Sequence, residues 1–357
     1  MPWQATQGRA EITGQDAVVE QFVRAAEQER IAGSYLFIGP SGVGKSTFAL
    51  ALAKSLLCER PQPGLVACGA CASCVQAEGG SHPDIDVVAK PADRATIPLD
   101  AFIGDAEHRM QEGLLRRLVL RPALGGRRVA IILDADHLSE EAANCLLKML
   151  EEPPDRAVII LVGTSLERQL PTIRSRCRIM RFGPLDTDTV LRIISAEAAV
   201  ETPPDLSQLR SCAAAAGGSL TRARLLLDPE LTAFRGRLMA ILFTRPLHGV
   251  DLSRETLALV DAAGKEAPPR RARLRVVLET AVDFFRAALR RAVTGMQPAD
   301  PALARQIEAW GAHADEAATA IRSTLDALDA IDRNAHLTGL IDSWTAQLEQ
   351  PAIAQTT

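Results

Sequence analysis

A glycine-rich stretch in the first quarter of the chain has the residue types that bind phosphate. Residues 39–46 match the pattern G-x-x-x-x-G-K-[ST] and follow an apolar run that is typical of a buried strand. Glycines let backbone N–H groups face phosphate oxygens, the lysine reaches the outer phosphates, and the hydroxyl binds Mg²⁺. The candidate nucleotide-binding residues in this loop and the helical turn after it are Gly39, Gly42, Gly44, Lys45, Ser46 and Thr47.

A phosphate loop needs a second acidic group for Mg²⁺ at the end of a neighbouring strand. Asp134 follows the apolar run 129–133 and is the candidate, although an aspartate at a strand end is also a common helix cap. The next residue, Ala135, cannot accept a proton from water. Strand alternation predicts that Asp136, one residue further on, points to the face of the sheet opposite residue 135. The sequence therefore predicts that nucleotide is bound but poorly hydrolysed.

Four of the seven cysteines lie within 17 positions of one another: Cys58, Cys68, Cys71 and Cys74. Cysteines separated by two residues can approach one ion from a tight turn. Four thiolates in a tetrahedral arrangement suit a structural Zn²⁺ site, which has no open position for substrate. An iron–sulfur cluster and a group of metal-free thiols are the alternatives. We expect the metal to hold together an insertion at 58–74 that is otherwise rich in proline and glycine.

The elements that would position these groups follow two patterns. Strand-like apolar runs alternate with helical patterns up to residue 182, as in a parallel α/β domain, and only amphipathic helical patterns come after it. Aromatic residues make up 4% of the chain, which favours helices over sandwiches or barrels. We predict an α/β P-loop domain with a parallel sheet at 1–183, a small helical domain at 184–230 and an all-α domain at 231–357.

Charge and cysteine usage limit the classes of function. The net charge is −4, whereas a protein that grips DNA through many phosphates is usually basic, so we expect any contact with DNA to be shared with partners. No apolar run reaches the ~18 residues needed to cross a bilayer, and the first residues lack a secretion signal. An odd number of cysteines argues against a disulfide framework. The sequence predicts a cytoplasmic protein with no membrane partner.

The order of these features resembles the bacterial DNA polymerase III clamp-loader subunits, which are AAA+ ATPases. Residues 144–154 are similar to the family's N-x-L-L-K-x-L-E-E-P-P helix, and residues 175–177 to its S-R-C signature. Residues 11–15 resemble the segment that packs near adenine, and residues 331–335 resemble the closing collar helix. The resemblance spans almost the whole chain. It implies an AAA+ domain, a helical lid domain and a helical collar domain for oligomerisation.

The resemblance also implies two roles for single residues. Arg176 would act as an arginine finger, entering the ATP site of a neighbouring subunit and neutralising charge on the transferred phosphoryl group. On spacing alone, a solvated basic face formed by Arg174, Arg176 and Arg178 is the favoured interpretation, and only the resemblance favours the finger role for Arg176. Thr164 falls where the family keeps a polar γ-phosphate sensor, and a plain strand-end threonine is the alternative.

Two departures from the family pattern indicate its delta-prime branch. Ala135 stands where hydrolysing relatives carry glutamate, and Thr221 stands where motor subunits carry an arginine, with Arg222 one position later. This branch implies ATP with Mg²⁺, structural Zn²⁺, and a hetero-pentamer with gamma/tau and delta that acts with the sliding clamp on primed DNA. The alternatives are a gamma/tau-type ATPase motor and, from another class, a P-loop kinase or transport ATPase, for which no acceptor site is apparent.

Overall fold

The computed structural model describes residues 12–91, 94–109, 111–124, 126–198, 205–243, 247–298, 301–310 and 314–349. Two compact units are present: the described part of Met1–Ile193 together with Gly217–Thr221, and the described part of Ile194–Ala216 together with Arg222–Thr357. The predicted three-domain division at 183 and 230 stays a prediction. None of the described helices has the length and apolar character needed to span a membrane.

A parallel sheet of five strands forms the centre of the first unit. The strands are β1 (Ser34–Ile38), β2 (Ile85–Val88), β3 (Arg128–Ile132), β4 (Ala157–Val162) and β5 (Arg178–Arg181). Their order in the sheet is β2-β3-β4-β1-β5, and every pairing is parallel. The three middle strands are buried along their whole length because helices cover both faces, as the continuous apolar runs predict.

Short and medium helices surround this sheet. They are α1 (Asp16–Glu27), α2 (Lys45–Leu57), α3 (Ala72–Glu78), α4 (Asp100–Ile103), α5 (Leu114–Val119), α6 (Glu140–Glu151), α7 (Pro171–Arg174) and most of α8 (Thr187–Ala198), and a 3-10 turn at Ala135–His137 precedes α6. The Ser139 hydroxyl accepts the N–H of Ala142 and caps α6, as the sequence predicts. The helix ends at Glu151, two residues before a Pro-Pro pair.

Alternating strand residues separate the core of this unit into two layers. Tyr35 and Phe37 of β1 pack with Phe22 of α1 and Phe48 of α2. The intervening strand residues pack with the apolar faces of α4, α5 and α6. The phosphate loop therefore begins at a strand that is fixed on both faces.

The second unit is helical throughout its described residues. Its helices are α9 (Leu206–Ala215), α10 (Leu220–Leu226), α11 (Pro229–Phe243), α12 (Gly249–Asp261), α13 (Ala267–Thr294), α14 (Pro301–Trp310), α15 (Ala314–Asp332) and α16 (Leu337–Glu349). Helices α11 to α16 share one apolar core, in which the indole N–H of buried Trp344 donates to the Thr324 hydroxyl over 3.0 Å. The predicted fold class, a parallel α/β domain followed by a helical region, is confirmed.

Candidate functional site

The glycine-rich loop joins β1 to α2 at the carboxyl edge of the sheet. Gly44 caps α2 with φ of 93°, a conformation that residues with a Cβ rarely adopt. A Cβ at Gly42 would collide with Ser219 and Thr221, which lie directly against the loop. Ser46 and Thr47 are exposed on the first turn of α2, where backbone N–H groups lack helical partners. The loop thus has the backbone shape and the free donors that phosphate binding requires.

Lys45 is tied to its own loop. Its Nζ donates to the backbone oxygens of Gly39 and Pro40, both over 2.6 Å, and the residue is 7% exposed. Burial lowers the pKa of Lys45 to about 8, and the negative charge of Asp136 opposes that shift in part. A cation held among carbonyl oxygens in a desolvated loop is available to an incoming phosphate, which would replace those carbonyls as its partner.

Asp134 and Asp136 lie differently from what strand alternation predicts. β3 ends at Ile132, and the 3-10 turn that follows reverses the direction of the chain. Asp134 is exposed, with φ of 54°, and its Oδ2 accepts the N–H of Lys90 over 3.4 Å. The acid whose charge acts on Lys45 is Asp136, so the prediction that Asp136 faces away was wrong: alternation holds only within a strand.

The Asp136 carboxylate connects three groups near the loop. Its Oδ2 accepts the Thr164 N–H over 2.7 Å and the Thr164 hydroxyl over 2.6 Å, and its Oδ1 accepts the side-chain amide of buried Gln169. Thr164 therefore lies against Asp136, with its hydroxyl proton donated to that carboxylate. Sequence reasoning missed Gln169 altogether, because a glutamine outside every motif carries no signal until the fold brings it to Asp136.

Ala135 faces the apolar core. It is 4% exposed and belongs to the cluster beneath α6, on the face of the sheet opposite α2. The absence of a carboxylate at this position thus leaves the core intact, and a glutamate side chain here would point away from Lys45.

Two further segments contact the loop from outside the P-loop motif. Buried Gln15 donates its side-chain amide to the backbone oxygens of Val43 and Gly183, over 3.2 and 2.9 Å. Glu11, at the start of the segment predicted to lie near adenine, is outside the described residues. The N–H of Leu220 donates to the Gly42 oxygen over 2.8 Å. Residues 12–15 and 217–221 therefore enclose the loop.

Arg222, which follows this segment, is engaged inside the helical unit. Its guanidinium forms an ion pair with Asp283 of α13. Glu279, one turn earlier on α13, has its pKa raised by burial, and the charge of Arg222 opposes the shift. Arg222 therefore connects α10 to α13. This role differs from the nucleotide contact that an arginine at position 221 would make.

Arg176 has an exposed, oriented guanidinium. Its Nε donates to Oε2 of Glu151 over 3.1 Å, and its Nη1 donates to the Thr172 oxygen over 3.1 Å and the Ser175 hydroxyl over 3.3 Å. The side chain is 30% exposed, whereas Arg174 and Arg178 are more open to solvent. The structure thus distinguishes Arg176 from its two neighbours.

The four predicted cysteine ligands come together as one cluster. The sulfur atoms of Cys58, Cys68, Cys71 and Cys74 all lie within 4.8 Å of one another, and the sulfurs of Cys58 and Cys71 are 3.9 Å apart. Tetrahedral zinc–thiolate bonds of ~2.3 Å would place sulfurs about 3.8 Å apart. The cluster therefore has the donors and close to the spacing that such a metal requires.

The electrostatics of the cluster favour a bound cation. Backbone N–H groups of Ala70 and Cys71 lower the pKa of the Cys68 thiol to about 6. Burial raises the pKa of the Cys74 thiol to about 12 and also raises that of Cys58. One thiolate is ready to bind a cation, and the positive charge of the metal would then favour deprotonation of the buried thiols.

Comparisons with known proteins agree with this architecture. Residues 14–186 match the family model described as "DNA polymerase III, delta subunit". The chain is 32% identical to DNA polymerase III subunit delta' of Escherichia coli K12, over 56% of this chain and 57% of that protein. It is 35% identical to the Pseudomonas aeruginosa delta' subunit, over 54% and 56%. The match thus covers a little over half the length of these delta' relatives.

A second type of relative matches a longer stretch of this chain. The tau subunit of DNA polymerase III from E. coli K12 is 31% identical over 71% of this chain, which is 37% of that protein. Among solved structures, a gamma subunit-related protein of Thermotoga maritima is 18% identical with a TM-score of 0.41, over 93% of this chain and 98% of that one; so low a score adds nothing to the fold assignment. The sequence matches confirm the resemblance to the DNA polymerase III delta' and gamma/tau subunits.

Proposed function

We propose that the chain is a delta-prime-like subunit of a sliding-clamp loader, because residues 14–186 match the DNA polymerase III delta subunit family model and the chain is 32% identical to the E. coli delta' subunit over 56% of its length. In this role it helps load the clamp onto primed DNA and donates Arg176 to the ATP site of a neighbouring subunit. The observation that carries the proposal is the orientation of Arg176, whose guanidinium is held by Glu151 and Thr172 while its side chain stays 30% exposed.

The chain binds ATP in this proposal and hydrolyses little of it. Gly39, Gly42 and Gly44 would shape the loop around the phosphates, and Lys45 would neutralise phosphate charge. Ser46 and Asp134 would hold Mg²⁺, which would supply further positive charge to the phosphate oxygens. Thr47 and Thr164 complete the candidate set. Weak hydrolysis is supported by the Asp136 carboxylate, which already accepts three hydrogen bonds from Thr164 and Gln169 and so has little capacity to orient a water.

The cysteine cluster holds Zn²⁺ in a structural role. Support comes from four sulfurs at near-tetrahedral spacing, three of them buried, which leaves no side open to a substrate. Residues 58–74 would then be a zinc-stabilised insertion of the AAA+ domain. Its anchor is Ser73, whose hydroxyl donates to the Leu57 oxygen over 2.7 Å and lies 2.9 Å from Nε2 of buried His82.

The remaining partners follow from the same role. Gamma/tau and delta subunits would surround the chain in a hetero-pentamer, with the helices of 231–357 as the collar that joins them and 184–230 as the lid. The clamp and primed DNA would be bound by the assembled complex. A net charge of −4 is consistent with DNA contacts that are shared among subunits.

A gamma/tau-type motor is the second candidate. The intact phosphate loop and the 31% identity to the E. coli tau subunit over 71% of this chain favour it. A motor would need a water-activating acid and a nucleotide-contacting arginine of its own. The engaged Asp136 and the pairing of Arg222 with Asp283 argue against both.

The test begins with the purified chain. We expect ATP binding by calorimetry, turnover near zero in a phosphate-release assay, and one zinc per chain in the same sample. Brisk turnover that Lys45→Ala abolishes would instead assign the chain as a motor.

The same test continues in the reconstituted loader with its gamma/tau-type ATPase. Arg176→Ala should remove most of the clamp- and DNA-stimulated hydrolysis, whereas the matched variant Arg174→Ala should leave it intact. Hydrolysis that survives Arg176→Ala would refute the donated-arginine role.

A further inference from the structure

Glu151 occupies a position where a carboxylate is unfavourable. It is the last residue of α6, and the carboxyl end of a helix carries partial negative charge from its unpaired carbonyl groups. A negative side chain there is repelled unless a cation lies beside it. The cation is the Arg176 guanidinium, whose Nε lies 3.1 Å from Glu151 Oε2. The ion pair therefore fixes the position of the Arg176 side chain; it does not serve to stabilise α6.

The hydrogen bonds of Arg176 fix the plane of its guanidinium. An arginine has one N–H on Nε and two on each Nη. The Nε–H is directed to Glu151, and Nη1 is directed to the Thr172 oxygen and the Ser175 hydroxyl. Among the described residues, none accepts a hydrogen bond from Nη2. Its two N–H groups form the outer edge of the side chain, which is the edge that a phosphate could bind.

The backbone beneath Arg176 is equally constrained. Ile173, three residues earlier, is 1% exposed and accepts the Arg176 N–H over 3.1 Å. Cys177, the next residue, is buried, and burial raises the pKa of its thiol to about 12. β5 begins at Arg178 and pairs with β1. Arg176 therefore lies in a short segment whose backbone is fixed by buried residues on both sides.

We infer that Glu151 is a positioning residue for Arg176, holding the guanidinium in the orientation in which Nη2 meets the terminal phosphate of a nucleoside triphosphate on a neighbouring subunit. This inference rests on the proposed function. A free arginine side chain loses rotamer entropy when it is fixed, and a preformed ion pair supplies that ordering before the partner binds. The Glu151 charge also keeps the guanidinium from turning toward the carbonyl groups at the end of α6.

The experiment measures ATP hydrolysis by the reconstituted loader with variants in this chain alone. We expect Glu151→Ala to lower kcat about tenfold and Glu151→Gln, which keeps an acceptor for Nε but loses the charge, to lower it about threefold. KM should stay within about twofold, because the arginine acts on the transition state rather than on binding. Glu152→Ala is the matched control, since Glu152 is exposed and takes part in the helix end only through its backbone.

The outcomes separate the inference from the proposed function. If Arg176→Ala abolishes hydrolysis while Glu151→Ala behaves as wild type, the inference is wrong and the proposed function stands. A higher kcat for Glu151→Ala would also overturn it, because the ion pair would then restrain Arg176. Equal losses for Glu151→Ala and Glu152→Ala would show a general effect of the helix end and refute it. Hydrolysis that is insensitive to Arg176→Ala would refute the proposed function itself. Size-exclusion chromatography of each complex checks that assembly is unchanged.

Discussion

The phosphate loop and the Arg176 segment contain similar polar groups in opposite arrangements. Around the loop, Lys45 donates hydrogen bonds to carbonyl groups of the loop, and the Asp136 carboxylate accepts hydrogen bonds from Thr164 and Gln169. Each of these charged groups is therefore paired within this chain. At residues 172–176, one side of a guanidinium is fixed and the other is left to solvent. The difference shows that a site can retain the shape for binding nucleotide while its reactive groups are internally satisfied.

The largest effect should come from changing the shape of the exposed cation without changing its charge. Arg176→Lys keeps the positive charge but loses the planar fork that contacts Glu151 and phosphate together. We expect the loader's kcat to fall by about 100-fold, less than the roughly 10³–10⁵-fold attributed to a complete arginine finger, because the positive charge is kept. Arg174→Lys is the matched control. Full activity of Arg176→Lys would mean that a point charge suffices and that the fixed orientation described here is irrelevant.

A glutamate at position 135 tests the phosphate loop, the other region in this comparison. Because Ala135 lies in the core beneath α6, Ala135→Glu would bury a carboxylate and lower the free energy of unfolding by about 3 kcal/mol or more. Turnover by the isolated chain should stay near zero. Urea denaturation and phosphate release measure the two quantities, with Ala135→Val as the apolar control for size. Restored hydrolysis in a stable variant would show that the loop site is one residue short of a motor.

The binding of ATP should depend on pH through Lys45. With the pKa of Lys45 lowered to about 8, the lysine is charged below that pH and must take up a proton to bind phosphate above it. Affinity should therefore hold from pH 7 to 8 and weaken about tenfold by pH 9. Calorimetric titration across this range is the measurement, and Lys45→Arg, charged throughout, should remove the pH dependence.

A variant of Asp136 gives a second test of the pH dependence of ATP binding. Its negative charge opposes the lowering of the Lys45 pKa, so Asp136→Asn should move the loss of affinity to lower pH. An unchanged pH profile in Asp136→Asn would mean that the carboxylate does not act on Lys45.

The smallest effect should come from Arg222. Because it pairs with Asp283 inside the helical unit, Arg222→Ala should change ATP affinity by less than about twofold. The partly exposed ion pair should contribute about 1 kcal/mol or less to stability. Calorimetry and thermal denaturation test both values, and Asp283→Asn should reproduce the stability change. A large loss of affinity in Arg222→Ala alone would return Arg222 to the nucleotide site.

The sequence was most informative where a motif is local. The phosphate loop, the capped helix α6 and the cysteine spacing are short-range patterns, and the structure has a loop, a helix and a cluster at those positions. The fold class followed from the switch between strand-like and helical patterns. β2 and β5 were not apparent, because each has four residues and includes charged ones at a sheet edge.

Long-range pairings could not be predicted from the chain alone. Asp136 meets Gln169, and Arg222 meets Asp283, across separations of 33 and 61 residues. The orientation of Asp136 was misjudged because strand periodicity was extended past the residue where β3 ends. The roles of the candidate site residues in nucleotide and metal binding stay predictions until the measurements above are made.

The order of the sheet has a consequence for how the chain is made. β1 is finished at Ile38, but its neighbours β4 and β5 begin only at Ala157 and Arg178. At ~5–20 residues per second, a ribosome needs roughly 6–24 s to reach β4 after releasing β1. During that time the five residues of β1, all buried in the folded protein, have no strand beside them. The nascent chain therefore exposes an aggregation-prone apolar segment early in synthesis. A chaperone that binds extended apolar peptides could bind this segment before the nucleotide site has formed.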